Sequence, residues 1–147
     1  MIIAIGSDHR GYAHKEYIKQ HSPTSYNTFY DVGAHSEDRS DYPQYAIMVA
    51  QKIQHKEADA GILICGSGVG MSIVANRFMG IYAGIVWDIG IAREAKEDDN
   101  INLIIIPADA VSLQSSIDII SMWMTAQFKG GHYQDRIAVI DALGGVK

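Results

Sequence analysis

The sequence predicts an α/β protein, a three-layer sandwich in which helices cover both faces of a parallel sheet of about five strands. Three observations support this prediction. Short, continuously apolar runs recur along the chain, as expected of strands that are buried on both faces. Segments with helical periodicity separate these runs, and this alternation is typical of parallel sheets. No repeat, low-complexity tract or linker divides the 147 residues, so we expect a single domain, 1–147.

The first half of the chain contains three predicted strands with two helices between them. Asp41 is placed to cap the second helix, and Pro43 is tolerated in its first turn. In chain order the predicted elements are strand Ile2–Ile5, a helix over Gly11–Gln20, strand Thr28–Val32, a helix from Tyr42 onward, and strand Ala60–Cys65.

The second half adds two strands and four helices. Pro107 ends the last strand, and Asp109 is interpreted as the N-cap of the helix that follows it. Apolar residues recur on one face of that helix at helical spacing. In chain order the predicted elements are helix Met71–Asn76, strand Tyr82–Trp87, helix Ile89–Lys96, strand Leu103–Ile106, a helix carrying Leu113, Ile117, Ile120 and Met124, and helix Tyr133–Leu143.

The predicted topology also gives an expected place for a ligand. Parallel strands joined by right-handed crossovers form a Rossmann-like sheet. Ligands of such sheets bind outside the carboxyl ends of the strands, at a switch point. We therefore expect the chemistry-bearing residues to share one edge of the sheet: Asp8, His9, Cys65, the loop after Cys65, and the stretch around Asp98.

The composition excludes several classes of protein. Lys and Arg number 12 against 17 Asp and Glu, a formal charge of −5, and no basic stripe suits nucleic acid or an anionic membrane surface. No apolar run approaches the roughly 18 residues of a spanning helix. Met1–Ile5 is typical of a first strand rather than a signal peptide. A single cysteine rules out an intrachain disulfide and favours a reducing, cytoplasmic location.

Cys65 and the glycine-rich loop after it form the most informative segment. The loop residues are Gly66, Ser67, Gly68, Val69 and Gly70. Alternate glycines let the backbone expose its N–H groups to an anion, and the same positive field favours the thiolate of Cys65. The loop is not a dinucleotide fingerprint, because its third glycine comes one residue early, and it lacks the Gly-Lys-Ser/Thr of a Walker loop. The alternative is that Cys65 is a small buried side chain at a strand end.

Three segments together resemble the ribose-5-phosphate isomerase B and galactose-6-phosphate isomerase family. They are Gly61–Arg77, Ser7–Gly11 and Arg39–Pro43, and they occur in the family's order with its separations. Gly130-Gly131 before the last helix also fits. The resemblance covers nearly the whole chain. It implies an interconversion of ribose 5-phosphate and ribulose 5-phosphate through an enediolate, without a cofactor.

The resemblance also implies roles for individual residues. Cys65 is the base that moves the proton, and the backbone of Gly66–Gly70 stabilises the enediolate oxygens. The family pattern assigns the substrate contacts to Asp8, His9, Tyr42 and Arg136, with the Ser67 hydroxyl added at the loop. Each of the four also has a structural alternative. The aspartate could cap a helix, the tyrosine could pack at a helix start, and the histidine and arginine could be solvated.

Four positions depart from the family's pattern. Asp98 stands where the family has the histidine that helps to open the sugar ring, and Asp99 replaces a ligand-contacting asparagine. Asp109 and His132 each replace an arginine. An aspartate with an ordinary pKa of about 3.9 is ionised at neutral pH, so Asp98 would act as an acid only if burial or neighbouring carboxylates raised its pKa.

Several functions therefore stay open. A six-carbon substrate, such as galactose or allose 6-phosphate, is the close variant. The four departures favour a catalytically degenerate sugar-phosphate binding protein, whereas the intact Cys65 loop argues against it. The six histidines lack metal-site spacings, so we expect no metal. A phosphorylated receiver domain would use acidic strand ends but has no place for the cysteine loop.

The resemblance further implies a homodimer or tetramer in which one subunit completes the site of its neighbour. A bulky apolar stretch near the end of the fifth predicted helix suits such an interface. Packing in the core of the subunit itself explains it equally well. The stretch comprises Met122, Trp123, Met124 and Phe128.

Overall fold

One sheet of five parallel strands forms the centre of the computed structural model, which describes residues 1–23 and 28–146. Six helices in this part of the chain flank the sheet. The elements are β1 (Ile2–Ser7), α1 (Tyr12–His21), β2 (Thr28–Gly33), α2 (Tyr42–Gln54), β3 (Ala60–Cys65), α3 (Val69–Ala75), β4 (Ala83–Ile85), α4 (Ile89–Glu97), β5 (Leu103–Pro107), α5 (Leu113–Thr125) and α6 (His132–Asp141). The predicted α/β class is confirmed.

The strand order is β2-β1-β3-β5-β4, and every neighbouring pair is parallel. From β1 the chain moves outward to β2 and then returns to the other side of β1 to form β3. The direction of winding therefore reverses between β1 and β3. Their carboxyl ends flank the crevice in which open α/β sheets bind ligands.

The predicted elements are all present, with shifted ends. β4 is only three residues long, because it is an edge strand whose pairing with β5 is limited to Ala83–Ile85. α3 begins at Val69 rather than Met71, directly after a left-handed Gly68. Asp41 occupies the N-cap position of α2, but its side chain accepts no capping hydrogen bond, so that detail of the prediction is wrong.

The core consists of two apolar clusters on opposite faces of the sheet. Side chains of successive strand residues point to opposite faces. Ile62 and Ile64 of β3 accordingly join the cluster that contains residues of α1, α4 and α5. Leu63 and Cys65 join the cluster that contains residues of α2 and α3. The thiol of Cys65 therefore faces the α2–α3 side at the end of the central strand.

An ion-pair network fixes α1 against β2. Lys15 is fully buried and donates to Asp31 at 2.6 Å and to Glu16 at 2.7 Å. Burial acts to raise the pKa of Asp31, but hydrogen bonds from Lys15 and Lys19 prevail and hold it below its ordinary value. A buried charge is tolerated only with such partners. The network thus holds the start of α1, which follows the turn carrying Asp8 and His9.

The apolar stretch of α5 belongs largely to the subunit's own core. Trp123 is buried, and its indole Nε1 donates to the carbonyl oxygen of Ile101 at 3.0 Å. Met122 and Met124 pack against the same cluster, and Phe128 is half-buried. In residues 1–23 and 28–146, no helix combines the length and apolarity needed to cross a membrane.

Candidate active site

Loops from four elements meet at the carboxyl edge of the sheet, around the switch point. The turn after β1 carries Asp8, His9 and Arg10, and the loop after β2 leads to Tyr42 at the start of α2. Cys65 ends β3 and is followed by the glycine loop, and Asp109 lies just after β5. Backbone hydrogen bonds join these loops. The Asp8 N–H donates to the Ile64 carbonyl at 3.3 Å, and the Asp109 N–H donates to the Gly66 carbonyl at 3.1 Å.

Cys65 is 6% exposed, and its Sγ accepts a hydrogen bond from the Gly68 N–H at 3.2 Å. Burial raises the pKa of the Cys65 thiol, and the carboxylate of Asp8 raises it further. The N–H groups of Gly68 and Met71 and the charge of Arg10 act in the opposite direction without prevailing. The loop's N–H groups thus favour the thiolate, as predicted, but desolvation outweighs them and the pKa of the thiol lies above its ordinary value.

The glycines of the loop are required by its geometry. Gly68 has a φ of +81°, a left-handed conformation that places its N–H toward the sulfur, and a Cβ there would lie 3.0 Å from Ile105. A Cβ on Gly70 would overlap the ring of Tyr42. Tyr42 therefore packs directly against the backbone of the loop at Gly70, because glycine has no side chain to keep the ring away.

The turn after β1 is ordered by Asp8. Its Oδ1 accepts the N–H groups of Arg10 at 3.0 Å and Gly11 at 3.1 Å. The N-cap residue of α1 is Gly11, so Asp8 orders the turn before the helix and its interpretation as a helix cap is wrong. His9 is half-buried, and its Nδ1 lies 3.3 Å from both the N–H and the carbonyl oxygen of Ser40. Nδ1 can accept from the N–H in one tautomer and donate to the carbonyl in the other, so the contact fixes the ring without selecting a tautomer. Ser67 is exposed, and its hydroxyl accepts the Val69 N–H at 3.3 Å.

Asp109 does not cap α5. The N-cap is Ser112, whose Oγ accepts the Ser115 N–H at 3.1 Å. The carboxylate of Asp109 instead pairs with the guanidinium of Arg10. Sequence reasoning missed Arg10 as a site residue. Nothing in the spacing of two residues 99 positions apart indicates that they pair.

Asp98 and Asp99 lie at the other edge of the sheet, contrary to the prediction. They follow α4 and precede β5, and a loop that precedes a parallel strand lies at its amino end. Asp98 is paired with Lys129, whose Nζ lies 2.7 Å from Oδ1 and 3.3 Å from Glu97 Oε2. Within one chain, the stretch around Asp98 therefore cannot reach Cys65.

The remaining predicted residues extend this amino-edge group. The Lys129 N–H donates to the Glu97 carbonyl at 2.9 Å, which fixes the segment that enters α6. The Tyr133 ring centroid lies 5.2 Å from Lys129 Nζ and 5.3 Å from the Arg136 guanidinium. His132 stacks on the same ring at 4.1 Å and, like Arg136, is exposed.

Comparison with known proteins identifies the family. The family model described as Ribose/Galactose Isomerase matches residues 3–140. The chain belongs to the ribose/galactose isomerase family. Ribose-5-phosphate isomerase B of Escherichia coli is 38% identical over 141 residues, which cover 96% of this chain and 95% of that protein.

Solved structures of ribose/galactose isomerases share the whole fold. The ribose-5-phosphate isomerase of Thermotoga maritima has a TM-score of 0.92 at 38% identity, covering 96% of this chain and 97% of its own. That of Mycoplasma genitalium, crystallised with bound ribulose 5-phosphate, has a TM-score of 0.91 at 35% identity, covering 97% and 95%. The five-stranded sheet and its switch point are thus those of the ribose/galactose isomerases.

Proposed function

We propose that this protein interconverts ribose 5-phosphate and ribulose 5-phosphate, with Cys65 as the base. The observation that carries the proposal is the position of the thiol. It lies at the carboxyl end of the central strand, in contact with the Gly68 N–H at 3.2 Å, at the switch point of a ribose/galactose isomerase fold. A thiol base has to stay reduced, and we expect the protein to work in the cytoplasm for that reason.

In the proposed reaction, the thiolate of Cys65 removes the proton from C2 of the open-chain aldose. The C2–H electron pair forms the C1=C2 bond of the enediolate, and negative charge moves to the oxygen on C1. N–H groups of the Gly66–Gly70 loop stabilise that oxygen. The thiol then returns the proton to C1, while the proton of the C2 hydroxyl passes to the oxygen on C1, which leaves a ketone at C2 and an alcohol at C1. No electrons leave the substrate, so no redox cofactor is needed.

Substrate contacts at this edge fall to the side chains that the loops already hold. Asp8 and His9 are proposed to contact the sugar and its phosphate. Tyr42 is proposed to lie along the sugar, next to Gly70. The raised pKa of the Cys65 thiol has a consequence for the pH profile. Because the base must be deprotonated, kcat/KM should still rise with pH above about 8.5, the ordinary cysteine value.

We further propose that the working unit contains at least two copies of the chain. Asp98, Asp99, His132 and Arg136 belong to the amino edge, on the far side of the sheet from Cys65. Arg136 and His132 are exposed there and free of carboxylate ion pairs within the described residues. A second copy that presents its amino edge to the carboxyl edge of the first would bring these two side chains to the phosphate.

A catalytically degenerate sugar-phosphate binding protein is the second candidate, and one observation favours it. The carboxylate of Asp98, which stands at the position of the family's ring-opening acid, is paired with Lys129 at 2.7 Å. Its Oδ1 accepts a hydrogen bond from Lys129 Nζ, so the carboxylate is occupied by a cation rather than placed as a proton donor. The chain can still act on the fraction of substrate whose ring has opened in solution.

The test is isomerisation of ribose 5-phosphate in D2O, followed by NMR, with Cys65→Ala as the comparison. Transfer of the proton through an exchanging thiol should place deuterium on C1 of the ribulose 5-phosphate. Loss of Cys65 should lower kcat by at least about a hundredfold. Turnover that survives in Cys65→Ala would refute the role of the thiol. Binding without turnover, on ribose 5-phosphate and on galactose and allose 6-phosphates, would establish the degenerate alternative.

A further inference from the structure

The Arg10–Asp109 ion pair lies against the glycine loop. Arg10 Nη2 donates to Asp109 Oδ2, and the two side chains are 53% and 54% exposed. Asp109 is tied to the loop by its own N–H, which donates to the Gly66 carbonyl at 3.1 Å. The pair thus links the turn after β1, the loop after β3 and the loop after β5. Where the resemblance leads one to expect an arginine after β5, the chain has a carboxylate that holds an arginine from another loop.

The guanidinium of Arg10 lies directly against Gly66. A Cβ at position 66 would overlap its Cζ, Nη1 and Nε atoms, so only glycine leaves room for it. Gly66 is the residue after Cys65. A guanidinium is charged at every pH at which the protein is folded. The contact therefore places a permanent positive charge one residue from the thiol.

The other charged groups around Cys65 act against its thiolate. Asp8, in the turn after β1, raises the pKa of the thiol, and Arg10 lowers it. Asp109 stands beyond Arg10, while α2 brings the Tyr42 ring to the loop and α3 contributes the Met71 N–H. Arg10 is the one cationic side chain that acts on the thiol among these groups, so the balance between thiol and thiolate depends on it.

We propose that Arg10 is a positioning residue of the isomerase site, held by Asp109 against Gly66 so that its charge stabilises the thiolate of Cys65. Its consequence for turnover rests on the proposed function, whereas its effect on the thiol does not. The interaction crosses a partly solvated region, so it weakens as ionic strength rises.

The experiment is a spectroscopic titration of the thiol. Cys65 is the single cysteine, so thiolate absorbance near 240 nm, after subtraction of the matching Cys65→Ala protein, reports this group alone. Arg10→Gln should raise the midpoint by about half a pH unit or more, and Arg10→Lys by less. Arg93→Gln removes the same charge from the exposed side of α4 and should leave the midpoint unchanged.

A double variant separates two explanations of that shift. In Arg10→Gln the unpaired carboxylate of Asp109 would itself raise the midpoint. Arg10→Gln/Asp109→Asn removes both charges, and a midpoint that stays above the wild-type value supports the proposal. A midpoint equal to wild type would mean that Arg10 only neutralises Asp109, which overturns it. If the variants fold poorly, the midpoint of the wild-type protein is compared between about 0.02 M and 0.5 M NaCl. Salt screens the exposed Arg10 more than the buried Asp8, so the midpoint should rise, and a midpoint that stays constant or falls overturns the proposal.

Kinetics supply an independent readout. Arg10→Gln should lower kcat near neutral pH with a change in KM of less than about twofold, because less of the enzyme holds the base as thiolate. A raised KM with an unchanged thiol midpoint would make Arg10 a phosphate contact and refute the proposal. If the wild-type protein shows no turnover, the function proposed above fails, and the titration still decides the role of Arg10.

Discussion

The two edges of the sheet differ in how far they keep the family's residues. At the carboxyl edge, Asp8, His9, Tyr42 and the Cys65 loop all match, and Asp109 is the one exchange identified. At the amino edge, Asp98, Asp99 and His132 are all exchanged, and Arg136 remains. The carboxyl edge is built from backbone contacts and glycines that tolerate no added atoms. The amino-edge residues are exposed or half-buried side chains of α4, α6 and the loop after α4, where an exchange meets fewer packing constraints.

The exchanged carboxylates at each edge have cations beside them. Asp109 is paired with Arg10, and Asp98 with Lys129. These pairs are largely solvated, so neither is expected to contribute measurably to stability. In the proposed site, their effect is instead on the local field around the thiol at one edge and around the phosphate at the other. The comparison teaches that this chain departs from the family's pattern in its charges, while the residues of the carboxyl edge around Cys65 match that pattern.

The largest effect is expected from disturbing the carboxyl edge at Gly70. Gly70→Ala would place a methyl group in the ring of Tyr42, which has to move away from the loop. Because position 70 is helical and alanine favours helices, the fold should persist. We expect kcat/KM to fall about a hundredfold through misplacement of the loop and Tyr42.

Gly84→Ala is the matched control for that variant. A Cβ there would lie 3.5 Å from Ile101, an ordinary contact, and position 84 is in β4, away from the thiol. Activity of Gly70→Ala within threefold of Gly84→Ala would contradict the view that the carboxyl edge tolerates no added atoms. Thermal unfolding of both proteins checks that they are equally folded.

The next largest effect is expected at the amino edge. Arg136→Gln removes the one cation that both the family pattern and this chain place on α6. Loss of a charge-assisted contact to the phosphate should raise KM roughly ten- to hundredfold. The value of kcat should change little, since the reacting carbons are remote from the phosphate. Arg93→Gln, on the exposed face of α4, controls for net charge. An unchanged KM would place the phosphate elsewhere.

A smaller effect is expected from restoring a histidine at position 98. An imidazole with an ordinary pKa near 6.5 can donate a proton at neutral pH, whereas the carboxylate now at this position is paired with Lys129. Asp98→His should therefore raise kcat about threefold near pH 7, and Asp98→Asn should not. Equal rates in the two variants would show that ring opening is not limiting. Steady-state kinetics on ribose 5-phosphate make the comparison.

The smallest effect concerns the pH dependence of stability that arises from the hydrogen bond between Tyr82 and Asp141, at the end of α6. Burial, together with the hydrogen bond from Tyr82 to Asp141, raises the pKa of the Tyr82 hydroxyl to about 12. A raised pKa means that the folded state favours the protonated form, so this contribution is present below about pH 10 and is lost as pH rises to about 12. Tyr82→Phe should abolish this alkaline loss of stability in thermal melts. An identical loss in Tyr82→Phe would assign it to other groups.

Sequence reasoning predicted the fold and the thiol site more fully than the charges around them. Apolar runs and glycine spacing are local, so β3 and the Cys65 loop were predicted with nearly correct ends. The pairing of Asp109 with Arg10 and of Asp98 with Lys129 joins segments that are distant in sequence. The pKa of Cys65 depends on how deeply the fold buries it, which the loop motif does not determine. The prediction for Asp98 is wrong because a loop that precedes a parallel strand lies at the amino end of that strand.

The central claim is that the carboxyl edge of one copy works with the amino edge of another. A subunit-complementation experiment tests this claim most directly. Cys65→Ala and Arg136→Gln proteins, each impaired alone, would be unfolded together in equal amounts, refolded and assayed at low substrate concentration. In a shared-site dimer, random mixing gives about half heterodimers, each with one intact site, so about a quarter of the wild-type activity should return. Activity no higher than the mean of the two separate proteins would contradict the claim, because each site would then be contained in a single chain.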